Sequence, residues 1–313
     1  MPHDHDHAHS HAHSHAHHHH DHAPDHFGVA FAIATALNLA LVIGQVWYGF
    51  AANSLALLAD AGHNLGDVMG LVLAWGAIAI ANWKPSNRFT YRMQAASILS
   101  AFANGMILLV ATGAIAWEAI RRFSEPQPVA SSTVMAVAAL AVVANGVSAW
   151  LLSRGSKSDL NVRGAFLHMV GDASVSVAVI VAALGIKFTG WQWLDPVASL
   201  LISAVILWGT WSLLRESIRL TLNAAPRAID PHDVRLYLTA LRQVENVHDL
   251  HIWAMSTNET ALSCHLVTPQ GHPGDDFLKS VAHDLEHRFD ICHATLQIEL
   301  EPNACTLRCE QAA

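Results

Sequence analysis

The chain has 313 residues, 52% of them hydrophobic and only 13% charged, with a formal net charge of −8 and a mean hydropathy of +0.31. A soluble domain carries about 25% charged residues, so these figures exclude an ordinary soluble enzyme and indicate a helical membrane protein. A basic nucleic-acid footprint is absent, and no Lys or Arg precedes Lys84, so a signal peptide with a basic start is not supported.

Residues 1–26 are a low-complexity tract with 13 histidines alternating with Asp, Ala and Ser. Such a segment cannot bury a core and is expected to be disordered in the cytoplasm. It has the composition of a weak, multivalent metal buffer; a dispensable solvated tail and an appended tag are the alternatives. A first membrane helix is expected over 28–50, with Asn38 and Gln45 as its polar groups. After a tight link at 51–54, a second helix over 55–81 carries His63 and Asp67. Asp60 lies one turn earlier, either lining an access path or bonding neighbouring backbone. Loop 82–92 is basic and broken by Pro85. A third helix is expected over 93–123, where Asn104 and Gly105 permit close packing, and a fourth over 131–153. A fifth, over 162–187, carries His168 and Asp172. A sixth is expected to start at Asp195 as N-cap with Pro196 at its first position, ending near 222.

Cationic residues are distributed unevenly among the connections. Lys84, Arg88, Arg92, Arg154, Lys157, Arg163, Arg215, Arg219 and Arg227 fall on one side, against Arg121, Arg122 and Lys187 on the other. The positive-inside rule then puts both termini in the cytoplasm. After residue 223 the composition becomes that of a soluble domain. Asp230-Pro231 is expected to cap a helix to about Arg242. Strands over 247–256 and 260–268, a helix over 275–289 and a strand over 295–301 follow, the last with Leu296, Ile298 and Leu300 turned inward. The expected domains are therefore a tail at 1–26, a six-helix membrane bundle at 27–222, a small α+β domain at 223–302, and a C-terminal tail at 303–313 holding Cys305 and Cys309.

The chemistry concentrates on helices two and five. His63-Asn64-Leu65-Gly66-Asp67 and His168-Met169-Val170-Gly171-Asp172 share one pattern, His-x-x-Gly-Asp. In each copy the His and Asp are four apart and share a helix face. Ionisable groups at bilayer depth are costly and usually functional. Together the copies offer two nitrogens and two oxygens, a tetrahedral set for zinc or a close relative. The bland alternative is two unrelated polar pairs that hold helices together. Histidine titrates near neutrality, so protons compete with metal for such a set.

The runs Ala59-Asp60-Ala61-Gly62-His63 to Asp67, Asp159-Leu160-Asn161-Val162-Arg163-Gly164-Ala165-Phe166-Leu167-His168 to Asp172, and Val247-His248-Asp249-Leu250-His251-Ile252-Trp253-Ala254 make the chain resemble a cation diffusion facilitator of the zinc-transporting (zinc/cobalt/cadmium efflux) branch. The resemblance spans about residues 27–302. It implies six transmembrane helices, a ferredoxin-like or metallochaperone-like cytoplasmic domain, a homodimer, and exchange of a divalent metal for protons across a bacterial inner (plasma) membrane. It places the transport site on His63, Asp67, His168 and Asp172. It also makes His248, His265, His293 and Glu299 candidates for a cytoplasmic regulatory site. Zn2+ is the expected substrate and a candidate regulator, with Co2+, Ni2+ and Cd2+ behind it, and no permanently bound cofactor is implied. No site is expected in loop 82–92, which has no His, Asp, Glu or Cys. The Cys305-x-x-x-Cys309 spacing is wider than the paired cysteines of similar transporters. His232, His272, His283 and His287 read as ordinary surface histidines. Two other classes compete: a membrane metallohydrolase, which needs an open metal position and a base, and a metal-buffering or metal-sensing membrane protein.

Overall fold

The structure, a computed structural model, describes residues 27–153 and 160–301. The histidine tract, Arg154, Lys157, Asp159, Cys305 and Cys309 lie outside the described residues. Six long helices come first: α1 (Phe27–Ala51), α2 (Leu55–Ala81), α3 (Ala96–Ser124), α4 (Ser131–Leu152), α5 (Leu160–Thr189) and α6 (Leu194–Thr221). Helices α2 to α6 are each long and apolar enough to cross a bilayer. Helix α1 has 25 residues, about 37 Å at 1.5 Å per residue, more than the ~30 Å hydrocarbon core. Large side chains such as Trp75, Trp117, Trp150 and Trp208 point outward, a surface that lipid covers at no hydrophobic cost.

Inside the bundle, Leu57 of α2, Val134 and Ala138 of α4, Val179 of α5 and Ile202 of α6 form one apolar cluster. Small residues set how closely the helices approach. A methyl group at Gly66 of α2 would run into the Leu108 side chain of α3, so glycine allows this close approach without displacing that leucine. Helix α3 begins at Ala96, later than its apolar pattern suggests, because residues 90–95 form turns and Arg92 takes a positive φ of 58°.

Helix α6 corrects a sequence expectation. Asp195 is not its N-cap: the helix starts at Leu194, and Pro196 falls inside the first turn. The Asp195 carboxylate instead reaches the start of α2. It accepts from Leu55 N at 2.7 Å, Ala56 N at 3.3 Å and the Ser54 hydroxyl. Ser54 is the N-cap of α2 and accepts from Leu57 N at 3.2 Å. The first amides of a helix have no partner within it and carry positive potential. The buried carboxylate thus takes three donors at the start of α2, two of them amides with no partner within that helix.

The C-terminal unit runs α7 (Pro231–Thr239), β1 (Asn246–Ala254), β2 (Thr260–Val267), α8 (Asp275–Phe289) and β3 (His293–Glu299). Asp230 caps α7 by accepting from His232 N at 2.8 Å. The sheet order is β1-β2-β3, with β1 antiparallel and β3 parallel to β2. A parallel neighbour needs a crossover, and α8 supplies it. Val234, Leu238, Leu262, Leu266, Val281, Leu285 and Ile291 make the core, with Leu296 and Ile298 packed against it. Leu300, expected to point inward, is exposed, because the strand ends at Glu299.

Candidate metal sites

Two membrane helices bring four ionisable side chains together. His63 Nε2 lies 3.2 Å from Asp172 Oδ1, and His168 Nε2 lies 3.3 Å from Asp67 Oδ2 and 3.6 Å from Asp172 Oδ2. Each histidine of one helix thus meets an aspartate of the other. Ligand atoms of His63, Asp67 and Asp172 all lie within 4.8 Å of one another. His168 stands beside this three-residue group, its ring 6.0 Å centroid to centroid from that of His63. Asp172 is buried at 4% side-chain exposure while His168 is 43% exposed, so the four groups differ widely in accessibility.

Beneath the set lies a polar layer that sequence reasoning did not find. Asp60 is fully buried and accepts from Gln45 Nε2 at 2.6 Å and from Ser176 Oγ at 2.9 Å. Gln45 Oε1 in turn accepts from Asn64 Nδ2 at 3.1 Å. Neither expectation for Asp60 describes this, since its partners are side chains of α1 and α5 and not nearby backbone. Ser176 sits one turn past Asp172, and Asp60 one turn before His63. The layer therefore ties together the two helices that carry the His/Asp pairs. Gln45 was visible as a polar group in an apolar run, but nothing local said which helix it faces.

A second, largely buried cluster forms on the face of the C-terminal sheet opposite its core residues Leu262, Cys264 and Leu266. His248 Nε2 lies 2.9 Å from Glu299 Oε2, and His265 Nδ1 lies 2.8 Å from Glu299 Oε1. The second contact is close but not aligned as a hydrogen bond, and His265 Nδ1 has no hydrogen-bond partner among the described residues. The two rings meet edge to face, 5.0 Å apart. Burial alone would raise the Glu299 carboxyl, but hydrogen bonds from His248 and Gln297 and the two nearby imidazoles outweigh it and hold it low. A β-bulge makes this cluster. His248 pairs with His265 and His251 pairs with Ser263, so β1 has one extra residue between them. Asp249 takes the extra turn at φ 52°, and His248 and His251 end on the same face. The bulge also aims the Asp249 carboxylate at His251 (2.9 Å) and His265 (3.5 Å). Asp249 is an acid at this cluster that the sequence did not single out.

His293 falls outside the cluster, a correction to the expected four. It opens β3 opposite Ala261, six residues from Glu299 and therefore about 20 Å along the strand. Its ring meets Tyr91 edge to face at 5.2 Å. Loop 82–92, where no metal site was expected, instead provides this contact.

The comparisons agree with this architecture. The family described as cation efflux transmembrane domain matches residues 31–221, and the one described as cation efflux protein, cytoplasmic domain, matches 226–301. The chain is 40% identical over 260 residues to the zinc transporter ZitB of Escherichia coli (strain K12), covering 82% of this chain and 83% of the relative. It is 37% identical over 258 residues to the cadmium, cobalt and zinc/H(+)-K(+) antiporter of Bacillus subtilis (strain 168), covering 81% and 83%. It is also 37% identical over 272 residues to the metal cation efflux system protein CzcD of Cupriavidus metallidurans, covering 87% and 84%. With both halves matched in chain order and relatives similar over most of their length, the chain belongs to the cation efflux family.

Proposed function

We propose that this chain exports a divalent cation, Zn2+ foremost, in exchange for protons, by alternating the access of one site built from His63, Asp67, His168 and Asp172. The observation that carries the reading is the meeting of imidazole and carboxylate groups from α2 and α5 at membrane depth. Two nitrogens and two oxygens suit zinc, cobalt or cadmium, whereas magnesium and calcium favour all-oxygen shells. The ring nitrogens that would ligate metal face carboxylate oxygens at hydrogen-bond distance. A proton on Nε2 and a metal ion therefore compete for the same atoms, which is the physical basis of exchange. Exposure to the proton-richer side favours release, and exposure to the cytoplasm favours reloading. The names of the similar transporters, among them a zinc/H(+)-K(+) antiporter, support the same reading.

The proposal extends to the surroundings of the site. Asp60, Gln45 and Ser176 act as positioning residues that hold α2 against α5. The bundle lies in a bacterial inner membrane with both termini in the cytoplasm, as the distribution of Lys and Arg indicates. The C-terminal domain joins two copies as a homodimer and carries a regulatory site at His248, His265 and Glu299, with Asp249 beside it.

Zinc flux into sealed proteoliposomes under an imposed pH gradient tests the central claim. Asp67→Ala and Asp172→Ala are expected to lower flux at least a hundredfold while the protein still inserts and assembles. Near-normal flux in both variants would sink the assignment. Tight zinc binding with no wild-type flux would favour a metal-buffering or sensing protein. His63→Asp makes the shell more oxygen-rich, so manganese or cadmium should gain on zinc in competition.

A further inference from the structure

His283 and His287 lie one turn apart on α8, and neither cluster above uses them. Both are exposed. Their ring centroids are 3.9 Å apart with planes tilted by 40°, so the imidazoles stand side by side on one helix face. His287 Nδ1 lies 3.0 Å from the His283 carbonyl oxygen. A proton on Nδ1 donated to that carbonyl leaves Nε2 with its lone pair directed outward, the form a metal needs. The run His283-Asp284-Leu285-Glu286-His287 has H-x-x-E-H spacing, in which two histidines of one helix face hold zinc. His287 also lies in the last turn of α8, where unpaired carbonyls favour a cation.

The neighbouring charges leave the pair accessible. Arg288 lies over the Tyr237 ring at 4.7 Å, and Lys279 turns to Asp276 at 3.4 Å. Asp284 is taken by the Tyr237 hydroxyl at 2.8 Å. Glu286 is exposed, three positions after His283 within α8, and so lies on the same side of the helix as that ring.

We propose that His283 and His287 form a surface site for a borderline divalent cation, held through their two Nε2 atoms, with water or the Glu286 carboxylate completing its shell. Imidazole selects zinc, nickel or copper over magnesium and calcium. With two protein nitrogens and open positions, the site holds its ion loosely and exchanges it readily. It collects metal on the surface of the C-terminal domain, separately from the buried sheet cluster and the intramembrane set.

The test is residue by residue, so the histidine-rich tail cannot mask it. The full-length protein in detergent is treated with diethyl pyrocarbonate with and without Zn2+, and each histidine's modification is read by peptide mass spectrometry. His283 and His287 fall in one peptide, 280–288, where fragment ions separate them. The expected result is that Zn2+ slows modification of both several-fold, at a concentration that leaves the solitary exposed His232 unaffected and with no effect of Mg2+. In His283→Ala, His287 should return to its metal-free rate, and His283 should do so in His287→Ala. Both positions are exposed, and alanine is a good helix former, so the variants keep the fold. Protection of His287 that survives loss of His283 would overturn the proposal. So would protection no greater than that of His232, or equal protection by Mg2+.

Discussion

Cys264 and Cys292 are both free thiols of the C-terminal domain, yet their surroundings give them opposite chemistry. Cys264 lies in β2 with 1% exposure inside the core. Burial pushes its thiol up to about 12, and the charge of Arg235 opposes this only in part. The thiolate is the reactive form, so Cys264 is inert near neutral pH. Cys292 is exposed just before β3. Iodoacetamide at pH 8 should therefore modify Cys292 and spare Cys264 until denaturant is added, as peptide mass spectrometry would show. Equal labelling of both without denaturant would mean that β2 does not pack as described. The histidines divide by the same logic. His248 and His265 face a buried carboxylate, His63 and His168 face aspartates across a helix pair, and His293 faces only an aromatic ring.

The start of α2 shows how one element depends on another. His63 and Asp67 lie two to three turns into a helix whose first amides are held by Asp195 of α6. Asp195→Ala leaves Leu55 N and the Ser54 hydroxyl without this acceptor in a buried place. The expected cost is about 1–3 kcal/mol, read as a lower thermal midpoint in detergent. Asp195→Asn keeps one carbonyl acceptor and should recover part of the loss. If both variants melt like the parent, α2 is held in place by packing alone. The β1 bulge acts comparably within a strand. Asp249 is a non-glycine residue in the left-handed region, which disfavours most side chains by roughly 1–2 kcal/mol. That conformation decides which face His248 occupies.

At the scale of the whole molecule, the sheet domain touches the bundle through the turn between β1 and β2 and through the start of β3. Gln94 Nε2 donates to Glu259 Oε2 at 2.5 Å, Thr257 N donates to Ser97 Oγ at 3.1 Å, and Tyr91 meets His293. Arg227, in the segment between α6 and α7, pairs with Glu216 at 2.7 Å. The Thr257–Ser97 contact joins the β1–β2 turn to α3, which packs along α2, a short physical route from the sheet domain to the helix bearing His63 and Asp67. A prediction for the histidine tract of residues 1–26 belongs to this scale too. Weak ligands tethered to a transporter would stand near its site at roughly millimolar effective concentration. Deleting residues 2–26 should raise the apparent KM for zinc several-fold and leave maximal flux nearly unchanged, in the same vesicle assay. The difference should fade as the cytoplasmic side is acidified toward pH 6, because protonated imidazoles release metal. Loss of flux at saturating zinc would make the tract part of the transport step instead.

Much of this architecture was legible in the order of residues alone. Apolar runs, Lys and Arg placement and two copies of His-x-x-Gly-Asp point to membrane helices with an ionisable face, and the α-β-β-α-β order of the last 90 or so residues is readable from periodicity. Those signals are local: they arise between residues within a turn or two, where the chain itself fixes the spacing. Partners across space were not legible. That Asp195 serves the start of α2 rather than its own helix, that Asp60 is held by Gln45 and Ser176, and that Glu299 lies under two histidines while His293 does not, all depend on how distant segments pack. The bulge at Asp249 is the sharpest case. Without it a strict two-residue alternation puts His248 and His251 on opposite faces, and one extra residue puts them on the same face. A strand's alternation is determined by its own backbone, but the insertion is defined only against the neighbouring strand, so the reach of His248 to Glu299 was settled by the paired sheet.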